Sequence, residues 1–183
     1  MTDVFHDELI ETLPALRAFA MMLTRDRAAG EDLLQDTVVR ALDKCDSFTP
    51  GTNLRAWLYT IMRNQHINGL RRRQRERLTD IDDDLLDNLD SVAANQEHSL
   101  VLKELMQAIG RLRREQREAL HLVVADGLSY EEVAHICGCP VGTIRSRIAR
   151  ARQELEVRLT GEVLPKAPTI AAREAQSALV SGR

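Results

Sequence analysis

The segment from residue 141 to residue 155 carries arginines and small polar side chains in a helical pattern. With residues at about 100° steps, one narrow sector holds the apolar positions and must face a core: Ile144, Ile148, Ala151 and Leu155. The opposite face and its flanks hold the candidate DNA contacts Thr143, Arg145, Ser146, Ala149, Arg150 and Gln153. Small side chains permit close approach to a major groove, and guanidinium groups pair with guanine edges or phosphates. This pattern predicts a helix that reads DNA.

The residues before this helix predict how it is held in place. Ser129 and Glu132 have the spacing of a capping box, so a helix is predicted over SYEEVAHICG. Gly138 followed by Pro140 ends that helix and leaves a tight turn before the next one. Two short helices around a tight turn are typical of a helix-turn-helix motif. The alternative is a solvated basic face on a purely structural helix, which the capped helix and the turn disfavour.

A loop and a long helix with a basic end are predicted after residue 46. The Pro-Gly pair in SFTPGTN predicts a loop, and LRAWLYTIMRNQHINGLRRRQR predicts a long helix after it. Trp57 falls on the apolar stripe of that helix, so we interpret it as a core residue together with Leu54, Leu58 and Ile61. Arg71 to Arg73 make the end of this helix basic, which a merely soluble helix end also explains.

Two further helices are predicted before this loop. Apolar residues recur at intervals of three and four between Leu9 and Leu23, and the inward stripe of this first helix is Leu9, Leu13, Leu16 and Ala20. The second helix, EDLLQDTVVRALDKC, is predicted to turn inward Leu34, Val38, Ala41 and Leu42. Its opposite face is acidic and polar, with Glu31, Asp32, Gln35, Asp36 and Asp43.

Composition and charge define the class of protein. The chain of 183 residues is 44% hydrophobic and 29% charged, which is ordinary for one or two small domains. Aromatic residues make up 3% and helix formers dominate, so the predicted fold is all-α. Residues 1–53 contain 5 basic and 10 acidic residues, and residues 54–77 contain 7 basic residues and 1 acidic residue. Residues 78–98 contain no basic residue and 7 acidic ones, and residues 99–183 contain 13 basic and 10 acidic residues. Charge sorted in this way guides a polyanion to chosen faces.

The same pass along the chain predicts two small helical domains, over residues 1–78 and 99–160. Residues 79–98 contain six aspartates and no basic residue, and we expect them to form an acidic flexible linker. Residues 161–183, rich in Ala, Pro and Ser, are expected to be a disordered tail. The two domains are therefore expected to have self-contained cores on a flexible tether.

Several functional classes are disfavoured by what the sequence lacks. No run approaches the roughly 18 apolar residues of a membrane span, so we expect a cytoplasmic protein without membrane insertion. Cys45, Cys137 and Cys139 are interpreted as reduced thiols. His135 lies near two of them, but four suitably spaced ligands are missing, so no metal is expected. Without a Gly-rich phosphate loop or a nucleophile–base pair, we expect no enzyme activity, no cofactor and no small-molecule substrate.

Two long runs resemble a known family. DGLSYEEVAHICGCPVGTIRSRIARARQEL resembles the upstream-element reader of extracytoplasmic-function (ECF) sigma factors, and EDLLQDTVVRALDKCDSFTPGTNLRAWLYTIMRN resembles their polymerase-binding and minus-ten-reading module. With the helices around them, the resemblance covers about residues 8 to 160. It implies transcription initiation with core RNA polymerase and promoter DNA as partners, and control by an anti-sigma factor. PGTNLRAWLYTIMRN and CGCPVGTIRSR are also similar to the branch that serves the alphaproteobacterial general stress response.

The resemblance implies a role for three groups of residues. The polymerase-binding group is Asp32, Gln35 and Asp36. The minus-ten group is Ser47, Phe48, Thr52, Asn53, Arg63, Asn64, Arg71, Arg72 and Arg73. The resemblance implies that the loop from Asp46 to Asn53 captures a flipped base, and a polar loop beside a basic helix suits this role because capture costs a few kcal/mol. The minus-thirty-five group is Thr143, Arg145, Ser146, Ala149 and Arg150. These group names are used below for these residues.

Two other functions remain as alternatives. A sigma-like mimic would sequester an anti-sigma protein without touching DNA, but known mimics carry a receiver domain and a degenerate DNA-reading helix. This chain is expected to have no room for a receiver domain, and its arginines are intact. A conventional dimeric repressor is disfavoured because no heptad pattern typical of a dimerisation helix is visible.

Overall fold

The computed structural model describes residues 2–77 and 100–160, and the regular structure within these ranges is helical. The seven α-helices are α1 (Thr2–Thr24), α2 (Arg27–Asp43), α3 (Leu54–Arg77), α4 (Leu100–Gly110), α5 (Arg114–Leu120), α6 (Tyr130–Cys137) and α7 (Val141–Thr160). A 3₁₀ turn spans Cys45–Ser47 and a π-helical turn spans His121–Ala125. The predicted all-α class is confirmed. The predicted linker over 79–98 and the predicted tail over 161–183 lie outside the described residues.

The first domain is a bundle of α1, α2 and α3, each packed against the other two. Leu16 and Ala20 of α1 are fully buried, so the predicted stripe of this helix is confirmed. Phe19 is also buried and contacts Tyr59 of α3, with ring centroids 4.7 Å apart. Helix α1 begins well before Leu9, because the N-terminal Phe5 is also drawn into the core.

The inward face of α2 was predicted partly wrongly. Leu34 and Ala41 are buried as expected, but Leu42 is 39% exposed. The buried face runs instead through Leu33 and Thr37. Because Leu42 follows Ala41 by one helical step, it is rotated by about 100° away from that face.

Helix α3 buries more of its surface than an amphipathic helix with one partner. Leu54 and Leu58 are buried as predicted, while Trp57 is only half-buried. Tyr59 and Met62, which lie off the predicted stripe, are fully buried. The reason is that α3 packs against α1 and α2 and also against α6 of the second domain.

The second domain contains the predicted helix-turn-helix in α6 and α7. The Oγ of Ser129 accepts a hydrogen bond from the backbone N of Glu132 at 3.2 Å, and the carboxylate of Glu132 accepts one from the backbone N of Ser129 at 2.8 Å. This confirms the predicted capping box. Gly138 ends α6 with φ 60° and ψ 42°, in the left-handed region. Ile144 and Ile148 of α7 are buried as predicted.

The two domains pack against each other, which the sequence did not predict. Helix α3 contacts α6, and α1 contacts α5. The buried apolar residues of both domains form one continuous cluster, which includes Leu58 from the first domain and Leu122 from the second. The described residues therefore form one packed body in which each domain covers part of the other.

The left-handed conformation of Gly138 gives a test of the helix-turn-helix. A Cβ at this residue meets no atom within 4 Å, so the cost of Gly138→Ala comes from the backbone alone and should be about 1–2 kcal/mol of unfolding free energy. The matched control is Gly142→Ala, also open to space but inside α7, which should stabilise by up to about 1 kcal/mol. Urea denaturation followed by circular dichroism measures both. Equal effects of the two substitutions would contradict the assigned turn.

Candidate nucleic-acid interface

Helix α7 presents the minus-thirty-five group on the side away from its buried stripe. Arg145, Ala149 and Arg150 are exposed, while Thr143 and Ser146 are half-buried. The Oγ of Ser146 donates a hydrogen bond to the carbonyl of Thr143 at 2.8 Å. One face of a single helix therefore holds all five residues, with the two arginines free to extend outward.

An open groove of about 950 Å³ runs between this face and the start of α5. Its lining includes Glu115, Thr143, Ser146, Arg147 and Arg150. The pKa of Glu115 is lowered by a backbone hydrogen bond and further by the charges of Arg114 and Arg147. Helix α5 thus adds a carboxylate to a groove otherwise rich in arginine. The sequence analysis missed this contribution because nothing local links α5 to a helix almost thirty residues later.

The loop before α3 is held by its own hydrogen bonds. Ser47 donates to the carbonyl of Lys44 and Thr52 donates to the carbonyl of Thr49, both at 2.7 Å. Phe48 is half-buried between two other rings, with its centroid 5.9 Å from that of Phe5 and 5.5 Å from that of Trp57. Ser47 and Thr52 remain exposed at the loop surface. The aromatic cluster therefore anchors the loop to α1 and α3.

Two members of the minus-ten group contact the second domain. Asn53 lies immediately before α3, and its Oδ1 accepts a hydrogen bond from the backbone N of Ala56 at 3.2 Å. Its Nδ2 donates to Oε1 of Glu132 at 2.6 Å. The guanidinium of Arg63 pairs with the carboxylate of Glu118, and these side chains are only 15% and 3% exposed. Neither pairing was predicted from the sequence.

The other members of the minus-ten group lie along α3. Asn64 and Arg71 to Arg73 are exposed. A second groove, of about 1510 Å³, is lined by Asn64, Arg72 and Arg73 together with Asp32 and Asp36 of the polymerase-binding group. The structure therefore brings parts of two predicted groups to the walls of one groove.

A buried hydrogen-bonded link fixes α2 relative to α3. The Oγ1 of Thr37, which is fully buried, lies 2.8 Å from Oε1 of Gln65. The Nε2 of Gln65 donates to the backbone carbonyl of Asp36 at 3.1 Å. Asp32, Gln35 and Asp36 are exposed on the other side of α2. These hydrogen bonds to α3 fix the rotation of α2 about its axis and therefore the direction in which the acidic face points.

The thiols show no arrangement that favours metal binding or disulfide formation. All three cysteines are free, and burial raises the pKa of Cys137 to about 12. Within residues 2–77 and 100–160, no three His, Cys, Asp or Glu side chains are grouped as metal ligands. In the same ranges, no helix is long and apolar enough to cross a membrane.

The two halves of the chain match two family models. Residues 9–76 match Sigma-70 region 2, and residues 102–155 match Sigma-70, region 4. The ECF RNA polymerase sigma factor EcfG of Rhodopseudomonas palustris is 45% identical over 159 residues, which are 87% of this chain and 87% of that one. The chain belongs to the ECF RNA polymerase sigma factors. The ECF sigma-E factor of Escherichia coli K12 is 36% identical over 149 residues, covering 75% of this chain and 78% of that one.

A solved sigma-factor structure shares the fold. The sigma factor RpoE of Bartonella quintana, in complex with the anti-sigma factor NepR, matches with a TM-score of 0.74 and 42% identity, covering 87% of this chain and 98% of that one. The resemblance to ECF sigma factors that the two sequence runs indicate is therefore confirmed. The first domain holds region 2 and the second holds region 4.

His66 of this sigma factor is a titratable group close to the junction of the domains. Burial, together with the smaller effect of the charges of Arg114, Arg73 and Arg63, lowers its pKa from 6.5 to about 4. The folded protein therefore binds a proton at His66 less readily than the unfolded chain does. Stability from this residue is present above pH 6.5 and is lost as the pH falls from 6.5 towards 4.

We expect wild type to lose more stability than His66→Gln on acidification, because the variant has no proton to take up at this position. Urea denaturation midpoints at pH 7.5, 6 and 5 measure the difference. The carboxylates titrate equally in both proteins, so the difference in denaturation midpoint between wild type and variant reports on His66. A difference that stays constant from pH 7.5 to pH 5 would contradict the lowered pKa.

Proposed function

We propose that this sigma factor reads two promoter elements with separate surfaces and contacts core RNA polymerase with a third. The upstream element binds the minus-thirty-five group on α7, the downstream element binds the minus-ten group, and polymerase binds the polymerase-binding group on α2. In this proposal, residues 1–78 and residues 99–160 are the two functional domains. The observation that carries the proposal is the outward face of α7, where arginines and small residues lie opposite the buried Ile144, Ile148 and Ala151.

The geometry of α7 supports reading of the major groove. Ala149 allows the helix backbone to approach base edges, and Arg145 and Arg150 are exposed on either side of it. Arginine pairs with guanine in a bidentate manner, and each such pair contributes about 1–3 kcal/mol of discrimination. The adjacent Glu115 supplies an acceptor suited to the N4 amino group of cytosine.

The surface of α3 supports binding of a separated DNA strand. Arg71 to Arg73 form an exposed cationic run at the far end of the helix. Asn64 lies two turns earlier and is also exposed. A cationic track beside a polar loop can hold both the backbone of the strand and an unstacked base.

The acidic face of α2 supports docking to a basic partner surface. Asp32 and Asp36 lie one helical turn apart and are both exposed. The catalytic centre for RNA synthesis belongs to the polymerase, and the sigma factor contributes specificity without chemistry of its own. It acts in the cytoplasm, where polymerase and promoters are.

An anti-sigma factor controls this activity in a stress response. The support is that the similar RpoE of Bartonella quintana was solved in complex with the anti-sigma factor NepR. An inhibitor that covers the acidic face of α2 and the basic face of α7 separates the protein from polymerase and from promoter DNA at once.

Charge reversal tests the polymerase-binding group. We expect Asp32→Lys with Asp36→Lys to weaken association with core polymerase at least about tenfold, which is ~1.4 kcal/mol. The fold should be kept because both residues are exposed. Asp7→Lys with Glu11→Lys is the matched control, since these acids have the same spacing and are exposed on α1. Quantitative pull-down of core enzyme measures both variants, and equal retention would mean that polymerase binds elsewhere.

Crossed promoter and protein variants test the minus-thirty-five group. Arg150→Ala should cost about 1–3 kcal/mol in run-off transcription with purified core polymerase if it makes a bidentate guanine contact. Its effect should vanish on promoters altered at the minus-thirty-five element and persist on promoters altered at minus ten. Arg152→Ala, also exposed on α7, is the control. A uniform loss on all upstream sequences with a lower salt slope would instead indicate a phosphate contact.

A further inference from the structure

A glycine inside α3 has no explanation in the packing of the described residues. Gly69 lies well inside this helix, where glycine is less favourable than any residue except proline. Gly30 of α2 differs, because a Cβ there would lie 2.6 Å from Sδ of Met21. At Gly69 a Cβ would meet no atom of residues 2–77 and 100–160 within 4 Å. Helix α3 therefore carries a stretch of open backbone that its own packing does not require.

This open backbone lies in the wall of the groove of about 1510 Å³. His66 lines the groove one helical turn before Gly69, and Arg72 and Arg73 line it one turn after. Arg114 of α5 lines the same groove from the second domain. Cationic side chains of both domains therefore share one groove with Gly69.

His66 shows that these charges act on one place. Burial lowers the pKa of His66 to about 4, and the charges of Arg114 and Arg73 act in the same direction. Arg114 pairs with Glu115 at 3.5 Å, but the two side chains are 42% and 44% exposed, so this pair is weak. The groove beside Gly69 therefore has a positive potential, which disfavours another cation and favours an anion.

We propose that the groove at Gly69 is a binding site for a compact oligophosphate, held by Arg73 and Arg114. The planar guanidinium group presents a fork of donors that matches the oxygens of a phosphate. A residue without a side chain lets a phosphate approach the helix backbone more closely than a Cβ would allow. This inference goes beyond the proposed function and does not depend on the assignment of Arg73 to the minus-ten element.

The charges of the groove favour a short chain of phosphates over a long strand. Asp32 and Asp36 line the side formed by α2, and they repel a polyanion that runs through the whole groove. A triphosphate can stay at the cationic end and offer separate oxygens to Arg73 and Arg114. An inorganic oligophosphate and the phosphate chain of a nucleotide share this chemistry, and both belong to the proposed class of ligand.

The first experiment titrates the full-length chain with sodium triphosphate in isothermal titration calorimetry at physiological ionic strength. We expect one saturable site that binds triphosphate at least about tenfold more tightly than orthophosphate. Arg73→Ala and Arg114→Ala should each weaken triphosphate binding about tenfold, because each removes one guanidinium group. The control is Arg152→Ala, which removes the same charge from an exposed residue of α7 outside this groove and should leave the affinity unchanged.

Titrations with adenosine and guanosine triphosphate distinguish the two sources of the phosphate chain. Tighter binding of either nucleotide than of inorganic triphosphate assigns the site to a nucleotide. Equal or weaker binding assigns it to an inorganic oligophosphate. Both results support the site, because both require triphosphate itself to bind.

The second experiment separates binding from stability at Gly69. Gly69→Ala should raise the urea midpoint of unfolding, since alanine is the better helix former and its Cβ has room, but should weaken triphosphate binding at least about tenfold. Gly142→Ala of α7 is the matched control, because a Cβ there is also open to space and lies outside the groove. This control should raise the midpoint without changing the affinity. A purely structural role of Gly69 does not produce a more stable protein that binds less ligand.

The inference is overturned if the wild-type chain shows no saturable triphosphate site. It is also overturned if Gly69→Ala is more stable and keeps full affinity, since the open backbone then has no part in binding. A loss of affinity that Arg152→Ala shares reflects general electrostatics and has the same consequence.

A random-sequence pool of single-stranded DNA, labelled with fluorescein and measured by fluorescence anisotropy, tests the remaining alternative. If Gly69→Ala and Arg114→Ala weaken DNA binding as strongly as triphosphate binding, the groove is a track for nucleic acid and the oligophosphate site is overturned. A loss that is confined to triphosphate supports the site.

Discussion

Helix α3 must bury an apolar surface on two sides and still carry the strongest positive charge in the chain. Leu58, Tyr59 and Met62 are fully buried, and Arg63 follows within the same turn. A guanidinium at this depth has lost much of its water and requires a carboxylate partner. Glu118 of the second domain supplies that partner. Arg63 therefore has its carboxylate partner only when the two domains are packed together. The positions of α5 and α6 depend on this pairing.

The sorting of charge along the chain becomes a sorting in space. Residues 54–77 hold seven basic residues against one acidic one, and they form one helix. The acids of α2 line the same groove as the arginines at the far end of α3. A polyanion that enters this groove is attracted to α3 and repelled by α2. The acidic face of α2 therefore stays free of polyanions and attracts a positively charged partner.

Local signals predicted the helices but not the junction. The stripes of α1 and α7, the capping box at Ser129 and the turn at Gly138 all depend on residues within four positions of each other, and each was predicted. The pairs Arg63–Glu118 and Asn53–Glu132 join residues 55 and 79 positions apart. In the sequence, Arg63 looks no different from Arg71, although the side chain of Arg63 is only 15% exposed and Arg71 is exposed.

The same limit explains the errors within α2 and α3. Leu42 was assigned to the core because it follows Leu34 and Val38 at intervals of four residues, but this spacing does not show how far the contact with a neighbouring helix extends. Tyr59 and Met62 were missed because a helix with partners on two sides has no single stripe. The family resemblance implied roles for three groups of residues, but it carried no information on which of their members face the second domain.

The packed junction also changes how the two promoter-reading surfaces can influence each other. Self-contained domains on a flexible tether act additively, since distant sites without shared partners rarely couple. Once Arg63 pairs with Glu118, the two domains share a buried contact, so a substitution on one side of the junction is expected to change the stability of the other domain.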